Sequence, residues 1–291
     1  MPGHLEGKSI VITGAGRGLG RAFAIDAATE GAQVVVNDRD ELEAISVAAE
    51  ITASGGIAIS NGGSVTEWDD VTRLIKQCID EFGTLDGLVN NAGIFQWRAP
   101  WDENPEDLRA ILEVNVLGAM FCGIQALSAM CDRRKGSIVN IVSGAHLGIP
   151  SQSSYGGTKG ALTSLTYAWA IDSRAFGIRV NGVSPRAETR MSAIPGDRPS
   201  DVRAADPSSI APLVTYLLSD RSRQLSGQVI RLDGQALSVL RQPRFPVDPM
   251  VADSWSFESI GTAFEGALGD TVNDVGLRPV SLRDQGGASL T

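Results

Sequence analysis

A tyrosine and a lysine four residues apart, Tyr155 and Lys159, are the pair in this chain best suited to proton transfer. Residues at i and i+4 share one face of a helix. A phenol titrates near ~10, too high for a base at neutral pH. An ammonium alongside favours the phenolate, and a second positive charge favours it further. A drop of ~3 units corresponds to ~4 kcal/mol of differential charge interaction, which two close cations can supply in a partly dry site. Ser143 stands twelve residues before Tyr155, just past an apolar run. Its hydroxyl could hold a substrate oxygen while Tyr155 exchanges the proton. Asn115 interrupts the apolar helical stretch from Ile111 to Leu117. Asparagine is unfavourable there, so it predicts a helix distortion or a buried polar network. Each feature alone is common: Tyr-x-x-x-Lys pairs occur on solvent-facing helices, and a loop serine is by default a turn former.

The second constellation is Thr13-Gly14-Ala15-Gly16-Arg17-Gly18-Leu19-Gly20. It falls between a strand pattern and a helix pattern. Glycines there let the backbone turn tightly and approach a pyrophosphate, and the helix N-terminus offers free N–H groups to the phosphates. That context reads as a dinucleotide loop. Asp38 follows the second strand, roughly twenty residues on, where a carboxylate accepts hydrogen bonds from adenosine ribose hydroxyls and repels a 2′-phosphate. This favours NAD over NADP. Arg17 and Arg39 pull the other way, since either could meet a 2′-phosphate. An oxidised nicotinamide would be the second positive charge beside Tyr155.

These residues must be positioned by alternating strands and helices. Strand patterns fall at Ser9–Thr13, Val34–Val36, Ile57–Ser60, Leu88–Val89, Ser137–Val142, Ile178–Val183 and Val229–Leu232. Helix patterns fall at Leu19–Glu30, Glu41–Ala53, Trp68–Phe82, Pro105–Asp132, Tyr155–Phe176 and Ser208–Ser219. Seven strands so separated predict an α/β fold: a doubly wound, Rossmann-like, seven-stranded parallel sheet with helices on both faces. Ligands of such sheets sit at the carboxyl ends of the strands, where the glycine loop, Asp38, Asn91, Ser143 and Pro185 fall. Residues 1–240 read as the dinucleotide-binding catalytic domain. After Leu240 the composition shifts, and 241–291 reads as an extension packing on that domain or on a neighbouring subunit. Phe257, Ile260, Phe264 and Leu268 recur there at helical spacing.

The chain has 291 residues and a formal net charge of −9, which argues against nucleic acid or an anionic membrane as partner. No apolar run approaches the ~18 residues that span a bilayer, and the first residues lack a signal-peptide pattern. Cys78, Cys122 and Cys131 read as reduced thiols of a cytoplasmic protein. With His4 and His146 as its histidines and no paired cysteines, no metal site is expected.

Together, Thr13 to Gly20, Asn90-Asn91-Ala92-Gly93, Asn115, Ser143, and Tyr155 with Lys159 resemble the short-chain dehydrogenase/reductase family, in the right order over about residues 5 to 235. The resemblance implies hydride transfer between NAD(H) and a secondary alcohol or ketone. It implies Tyr155 as general acid/base, Ser143 orienting the substrate oxygen, and Lys159 binding the nicotinamide ribose and lowering the tyrosine pKa. Asn115 would hold a water linking Lys159 to a proton relay. The implied cofactor set is Thr13, Gly14, Arg17, Gly18, Leu19, Gly20, Asp38, Ser64, Val65, Asn91, Ala92, Gly93, Tyr155, Lys159, Pro185 and Thr189. A homotetramer or dimer through two long helices is implied too, with the apolar Leu162, Leu165 and Trp169 face fitting burial.

A narrower resemblance is carried by Val34 to Asp38, Ser184 to Met191 and the tail after Gly234. These are similar to the (3R)-hydroxyacyl-CoA dehydrogenase unit of the type 2 multifunctional β-oxidation enzyme and its bacterial single-domain relatives. It implies a 3-hydroxyacyl-CoA, or a steroid-derived or cyclic alcohol, and a place in lipid metabolism. Two other readings stay open: an NADPH-linked 3-ketoacyl reductase, and a non-catalytic NAD-binding regulatory protein.

The chain departs from the family at Arg186, where glycine usually follows the proline, and at Ser64, where aspartate often touches adenine. Arg186 could meet an anionic substrate group or only solvent. Arg133-Arg134-Lys135 could greet the phosphates of coenzyme A or an acyl carrier protein, or simply be cations at a helix C-terminus. His146 falls near the expected substrate mouth.

Overall fold

The computed structural model describes residues 3–186, 205–233, 236–245, 249–271 and 276. Thr189 and the rest of 187–204 lie outside the described residues, as does Gly234. The chain divides into two compact units, Met1–Leu240 and Arg241–Thr291.

In the first unit β1 (Ser9–Thr13) is buried at every residue, as a strand covered on both faces must be. It feeds α1 (Gly18–Thr29), then β2 (Gln33–Asn37), α2 (Glu41–Ala53), β3 (Ile57–Asn61), α3 (Trp68–Phe82) and β4 (Gly87–Asn90). The second half runs α4 (Pro105–Leu112), α5 (Ala119–Arg133), β5 (Gly136–Ile141), α6 (Ser153–Asp172), β6 (Ile178–Pro185), α7 (Ala211–Leu218), β7 (Val229–Asp233) and β8 (Ala236–Val239). The sheet order is β3-β2-β1-β4-β5-β6-β7-β8. Strand order reverses between β1 and β4, and that switch point opens the crevice at their carboxyl ends.

The first seven strands are parallel, as expected. The eighth was not foreseen: β8 pairs antiparallel with β7, Asp233 opposite Ala236. It is only four residues long and mostly exposed, so it carries no apolar run to read.

The core lies on both faces of the sheet. Ile10 and Ile12 join Phe23, Val34, Val36, Val139 and Leu217 on one face. Val11 joins Val35, Leu74, Leu88, Ile138 and Trp169 on the other. The period of two along β1 sorts these side chains to opposite faces.

The long helix after β4 holds two surprises. Between α4 and α5, Glu113–Gly118 is a π-helical turn, with Asn115 completely buried at its centre. Asparagine had predicted a distortion at this point, and a π-bulge is what widens a helix to admit such a group. Pro105–Arg133 is also, by length and composition, apolar enough to cross a membrane, with a mean hydropathy of 1.7 over its best window. The sequence reads as holding no apolar run of that length, and Glu113, Asn115 and Gln125 do interrupt the apolar residues here. Here its inner face, Ile111, Cys122, Ala126 and Met130, is buried in the protein's own core.

A second correction concerns Leu162 and Trp169. Both are buried within the chain, Leu162 beside Val142 and Val229, and Trp169 on the face of the sheet that holds Val11. They are spent on the protein's own core and are not free to pack against another subunit. Large apolar side chains left exposed on the long helices are instead Leu112, Leu117, Ile124 and Ile171.

In the second unit α8 (Phe257–Glu265) begins with a reciprocal cap: Ser256 Oγ accepts from Ser259 N at 3.1 Å, and Ser259 Oγ accepts from Ser256 N at 2.8 Å. The expected helix is present, though Leu268 lies beyond its end.

Candidate active site

The glycine loop and the Asn90–Gly93 segment form one structure. Thr13 Oγ1 accepts from the main-chain N–H groups of Asn91 and Ala92, both at 3.1 Å. Asn91 Nδ2 donates to the carbonyls of Thr13 and Gly14, each at 2.9 Å. Gly14 has φ +61°, and a Cβ there would lie 2.8 Å from Ala92 Cα. Only glycine meets both demands.

The loop ends at α1, whose N-cap Arg17 supplies no side-chain hydrogen bond and whose first turn holds no acid. Its leading N–H groups are therefore left to an anion. Arg17 and Gly18 are exposed there, Leu19 is half-buried and Gly20 is buried. Asp38, at the exit of β2, is 7% exposed; its carboxylate accepts from Gly16 N and Asp40 N, both at 3.1 Å. Ser64 shares a hydrogen bond with Thr66 across 2.9 Å of hydroxyl oxygens, and its N–H donates to Asp70. Val65 is buried; a Cβ on Gly118 would lie 2.8 Å from it, so the π-turn and this loop touch. An uncapped helix start, a glycine cradle and an acidic strand end fit a dinucleotide with a ribose at Asp38.

The reactive groups converge from three elements. Ser143 leaves β5 as the cap of a short 3-10 turn, Gly144–Leu147, accepting from Ala145 N at 3.2 Å. Tyr155 and Lys159 lie one turn apart on α6. The Ser143 side chain stands close enough to Tyr155 to oppose the effect of burial on its phenol. Lys159 Nζ lies 5.7 Å from the Tyr155 ring centroid and donates to Ile141 O at 2.7 Å. Asn115 Oδ1 accepts from Ile94 N at 2.7 Å, and its Nδ2 donates to Ile94 O at 2.9 Å and Thr158 Oγ1 at 3.1 Å. A Cβ on Gly93 would sit 3.2 Å from Asn115 Oδ1 and 3.7 Å from Lys159 Nζ. Glycine keeps that corner open.

Burial dominates the electrostatics of the two titratable groups. Burial pushes the Tyr155 phenol up from its ordinary value, and the Ser143 side chain only partly opposes this. Burial also pushes Lys159 down to about 8. Desolvation of both groups outweighs their mutual attraction, because each partner's charged form is itself costly in this place. The lysine alone does not lower the phenol. The positive charge of an oxidised nicotinamide would act on the phenol in the lowering direction.

Pro185 ends β6, and Arg186 N donates to Leu232 O at 3.0 Å. The Arg186 guanidinium pairs with Asp233 at 3.2 Å, so its first partner is neither substrate nor bulk solvent. The His146 ring is tied to the Ser143 carbonyl. Arg133 and Arg134 end α5 as helix-terminal cations, Arg133 pairing with Asp86 and Arg134 lying over the Phe176 ring.

Sequence reading missed Thr158, the partner of Asn115, and Phe95, whose ring packs edge-on against Tyr155 at 4.8 Å. Phe95 lies two residues past Gly93 and could have been suspected from that nearness.

The chain matches the family model for short chain dehydrogenases over residues 8–194. It is 36% identical to 2-(S)-hydroxypropyl-CoM dehydrogenase 3 of Xanthobacter autotrophicus, over 80% of this chain and 98% of the relative. It is 32% identical to a 3-oxoacyl-[acyl-carrier-protein] reductase of Staphylococcus epidermidis, over 78% and 98%. Among solved structures, a short chain dehydrogenase from Mycobacterium avium superposes with TM-score 0.82 at 33% identity, covering 92% of this chain and 96% of that one. A gluconate 5-dehydrogenase from Burkholderia cenocepacia, in complex with NADP and tartrate, superposes with TM-score 0.74 at 30% identity, covering 79% and 95%. This chain therefore belongs to the short-chain dehydrogenase/reductase family and is an NAD(P)-dependent oxidoreductase acting on CH–OH groups.

Proposed function

We propose that this enzyme interconverts a secondary alcohol and its ketone with NAD as the preferred hydride carrier and Tyr155 as the proton-exchanging group. The observation that carries this reading is the placement of Tyr155 and Lys159 one turn apart on α6, with Lys159 Nζ beside the corner kept open by Gly93 and Ser143 at the exit of β5.

In oxidation Ser143 holds the substrate hydroxyl and Tyr155 takes its proton as the carbon-bound hydrogen leaves as hydride; reduction reverses both transfers. When bound, the nicotinamide cofactor accepts or supplies that hydride and, oxidised, brings positive charge beside the phenol. Lys159 spends one of its three N–H donors on Ile141, which fixes the ammonium and leaves two for a ribose or a water. The Asn115 amide spends both N–H donors on Ile94 O and Thr158 Oγ1, while Oδ1 accepts from Ile94 N and keeps one lone pair with which it would hold a water. Thr13, Gly14, Arg17, Gly18, Leu19 and Gly20 would hold the pyrophosphate, Asp38 the adenosine ribose, Ser64 and Val65 the adenine, and Asn91, Ala92, Gly93 and Pro185 the nicotinamide half. Thr189 would reach the carboxamide from outside the described residues.

The Asp38 carboxylate supports NAD, since a 2′-phosphate beside it would meet like charge. Arg17 and Arg39, both exposed, and the carrier-protein reductases among the relatives favour the second reading, an NADPH-linked 3-ketoacyl reductase. The intact Ser143, Tyr155 and Lys159 set speaks against a regulatory protein without turnover. A reducing, cytoplasmic setting fits Cys78 and Cys122, both free thiols that burial pushes up to about 12. The reading includes a homo-oligomer through the outer face of the long helix, where Leu112, Leu117 and Ile124 remain exposed, and light scattering tests it.

The deciding experiment measures initial rates with NAD and with NADP over 3-hydroxyacyl-CoAs, steroid alcohols and cyclic alcohols. NAD-linked turnover of at least one alcohol class is expected. Faster rates with NADP would transfer the assignment to the ketoacyl reductase. Tight NAD binding with no turnover would leave the regulatory protein.

A further inference from the structure

The loop after β4 builds a wall that the cofactor and proton chemistry do not use. Phe95 meets the Tyr155 ring edge-on, with centroids 4.8 Å apart and planes at 75°. Trp97 stands behind it, with centroids 6.3 Å apart and planes at 57°. Leu147, at the end of the short 3-10 turn that Ser143 caps, is 37% exposed.

This wall is clamped in place. Arg98 N donates to Ser151 O at 2.8 Å, an isolated bridge joins Arg98 to Gln152, and Ser153 Oγ donates to Glu103 at 3.1 Å. Ser151 takes φ +60° to make the first of these contacts, a left-handed conformation that costs a non-glycine residue about 1–2 kcal/mol. The loop carrying Phe95 is thus fixed to the segment that leads into Tyr155. Arg98, the loop's own cation, is committed to Asp107, with Asn104 on the same carboxylate. Among the described residues, what this loop offers is two aromatic rings, with its Arg98 already paired.

Building on the dehydrogenase reading, we propose that the substrate's larger substituent is an apolar ring system, aromatic or alicyclic, which lies against Phe95 and Trp97, and that Phe95 sets this preference. Aromatic faces favour ring edges over flexible chains, because the ring gives up little conformational freedom on stacking. A polyhydroxy acid would leave its hydroxyls without partners on this wall and would have to take Arg98 from an existing ion pair.

The test is NAD-linked kinetics with α-methylbenzyl alcohol and cyclohexanol against sec-butanol and gluconate. Wild type is expected to prefer the ring alcohols to sec-butanol by about tenfold or more in kcat/KM, and to leave gluconate unused. Phe95→Ala is expected to cut the ring-over-chain ratio about tenfold, mainly through KM, and Phe95→Tyr to keep it within about threefold. If Phe95→Ala does not fold, Trp97→Ala, at a position 37% exposed, should lower the ratio at least about threefold. Trp101→Ala, at a position 84% exposed, serves as the control that leaves the ratio alone. An unchanged ratio in the folded Phe95 or Trp97 variant overturns the proposal. So does a wild type that prefers gluconate or straight-chain 3-hydroxyacyl thioesters, while the dehydrogenase reading survives either result. Absence of NAD reduction with every alcohol takes down both.

Discussion

At the carboxyl ends of its strands this sheet tolerates groups that the protein does not satisfy; at the amino ends it answers nearly every charge it buries. The amino ends open on a cleft of about 340 Å³ lined by Lys8, Lys135, Arg174, Arg179 and Arg223, with Asp86 and Asp220. Lys8 pairs with Asp220 at 2.8 Å and Arg133 with Asp86 at 3.2 Å. Arg179 donates to the carbonyls of Leu217 and Ser219 and to Ser222 Oγ. At the other end, Lys159 is buried against a single carbonyl with its pKa pushed down to about 8, the Tyr155 phenol is pushed up, and Ser184 Oγ is buried without a partner. Burial perturbs groups at the amino ends too, lowering Arg179 and leaving Thr84 Oγ1 without a partner, but Arg179 is held by several acceptors whereas Lys159 has a single carbonyl.

The comparison breaks most sharply at Tyr155. Tyr155→Phe keeps the ring and its packing on Phe95 but removes the hydroxyl. It should lower kcat by about 10³-fold or more while leaving the NAD dissociation constant within about threefold. Near-wild-type turnover would strip the carboxyl end of its distinction.

Asn115→Ala comes next. It would strand the Ile94 N–H and carbonyl and open the π-turn, at a cost of about 2–4 kcal/mol in denaturant unfolding. A loss below about 0.5 kcal/mol would mean that water replaces the side chain without penalty.

Lys159 sharpens the contrast through pH. Its folded pKa of about 8 lies below its ordinary 10.5, so between those values the unfolded chain holds a proton that the folded chain has shed. Stability of the cofactor-free protein should therefore rise with pH across that window, by roughly 2–3 kcal/mol, the burial cost being felt in full below it. Lys159→Met should flatten this rise and raise stability at neutral pH, with turnover lost. Denaturant midpoints across the window check the sign; a rise that persists in the variant assigns it to another group.

Asp38→Ala should move the kcat/KM ratio of NAD to NADP about tenfold or more toward NADP, by removing the charge that repels a 2′-phosphate. An unchanged ratio would leave Asp38 as the staple of Gly16 and Asp40 that it also is.

Legibility divided along the same line. The central parallel strands could be read because they bury both faces and so leave an apolar run, whereas β3, at the sheet edge, is only half-buried and left a weaker one. The residues that meet at the open corner could be read because their types are rare in such places: glycines before a helix, an asparagine inside one. What stayed hidden depended on distances between distant segments. Thr158 completes the Asn115 network across 43 positions, and Phe95 reaches Tyr155 from another loop. The burial that pushes Tyr155 up stayed hidden because spacing shows which charge is near but not how dry the place is. Leu162 and Trp169 were offered to a neighbour for the same reason: an apolar helix face does not say which surface will cover it.

The smallest effect is expected at the amino-end cleft. Arg174 lines it and is exposed, and the cleft's carboxylates already have Lys8 and Arg133 as partners. Arg174→Gln removes a screened surface charge from a place where nothing buried depends on it. Stability should therefore change by no more than about 0.5 kcal/mol, and kcat/KM by less than about twofold. A larger loss of activity with intact folding would mean that charge at this end reaches the reaction through the sheet. The two ends would then have to be treated as one coupled system rather than as a working face and a supporting one.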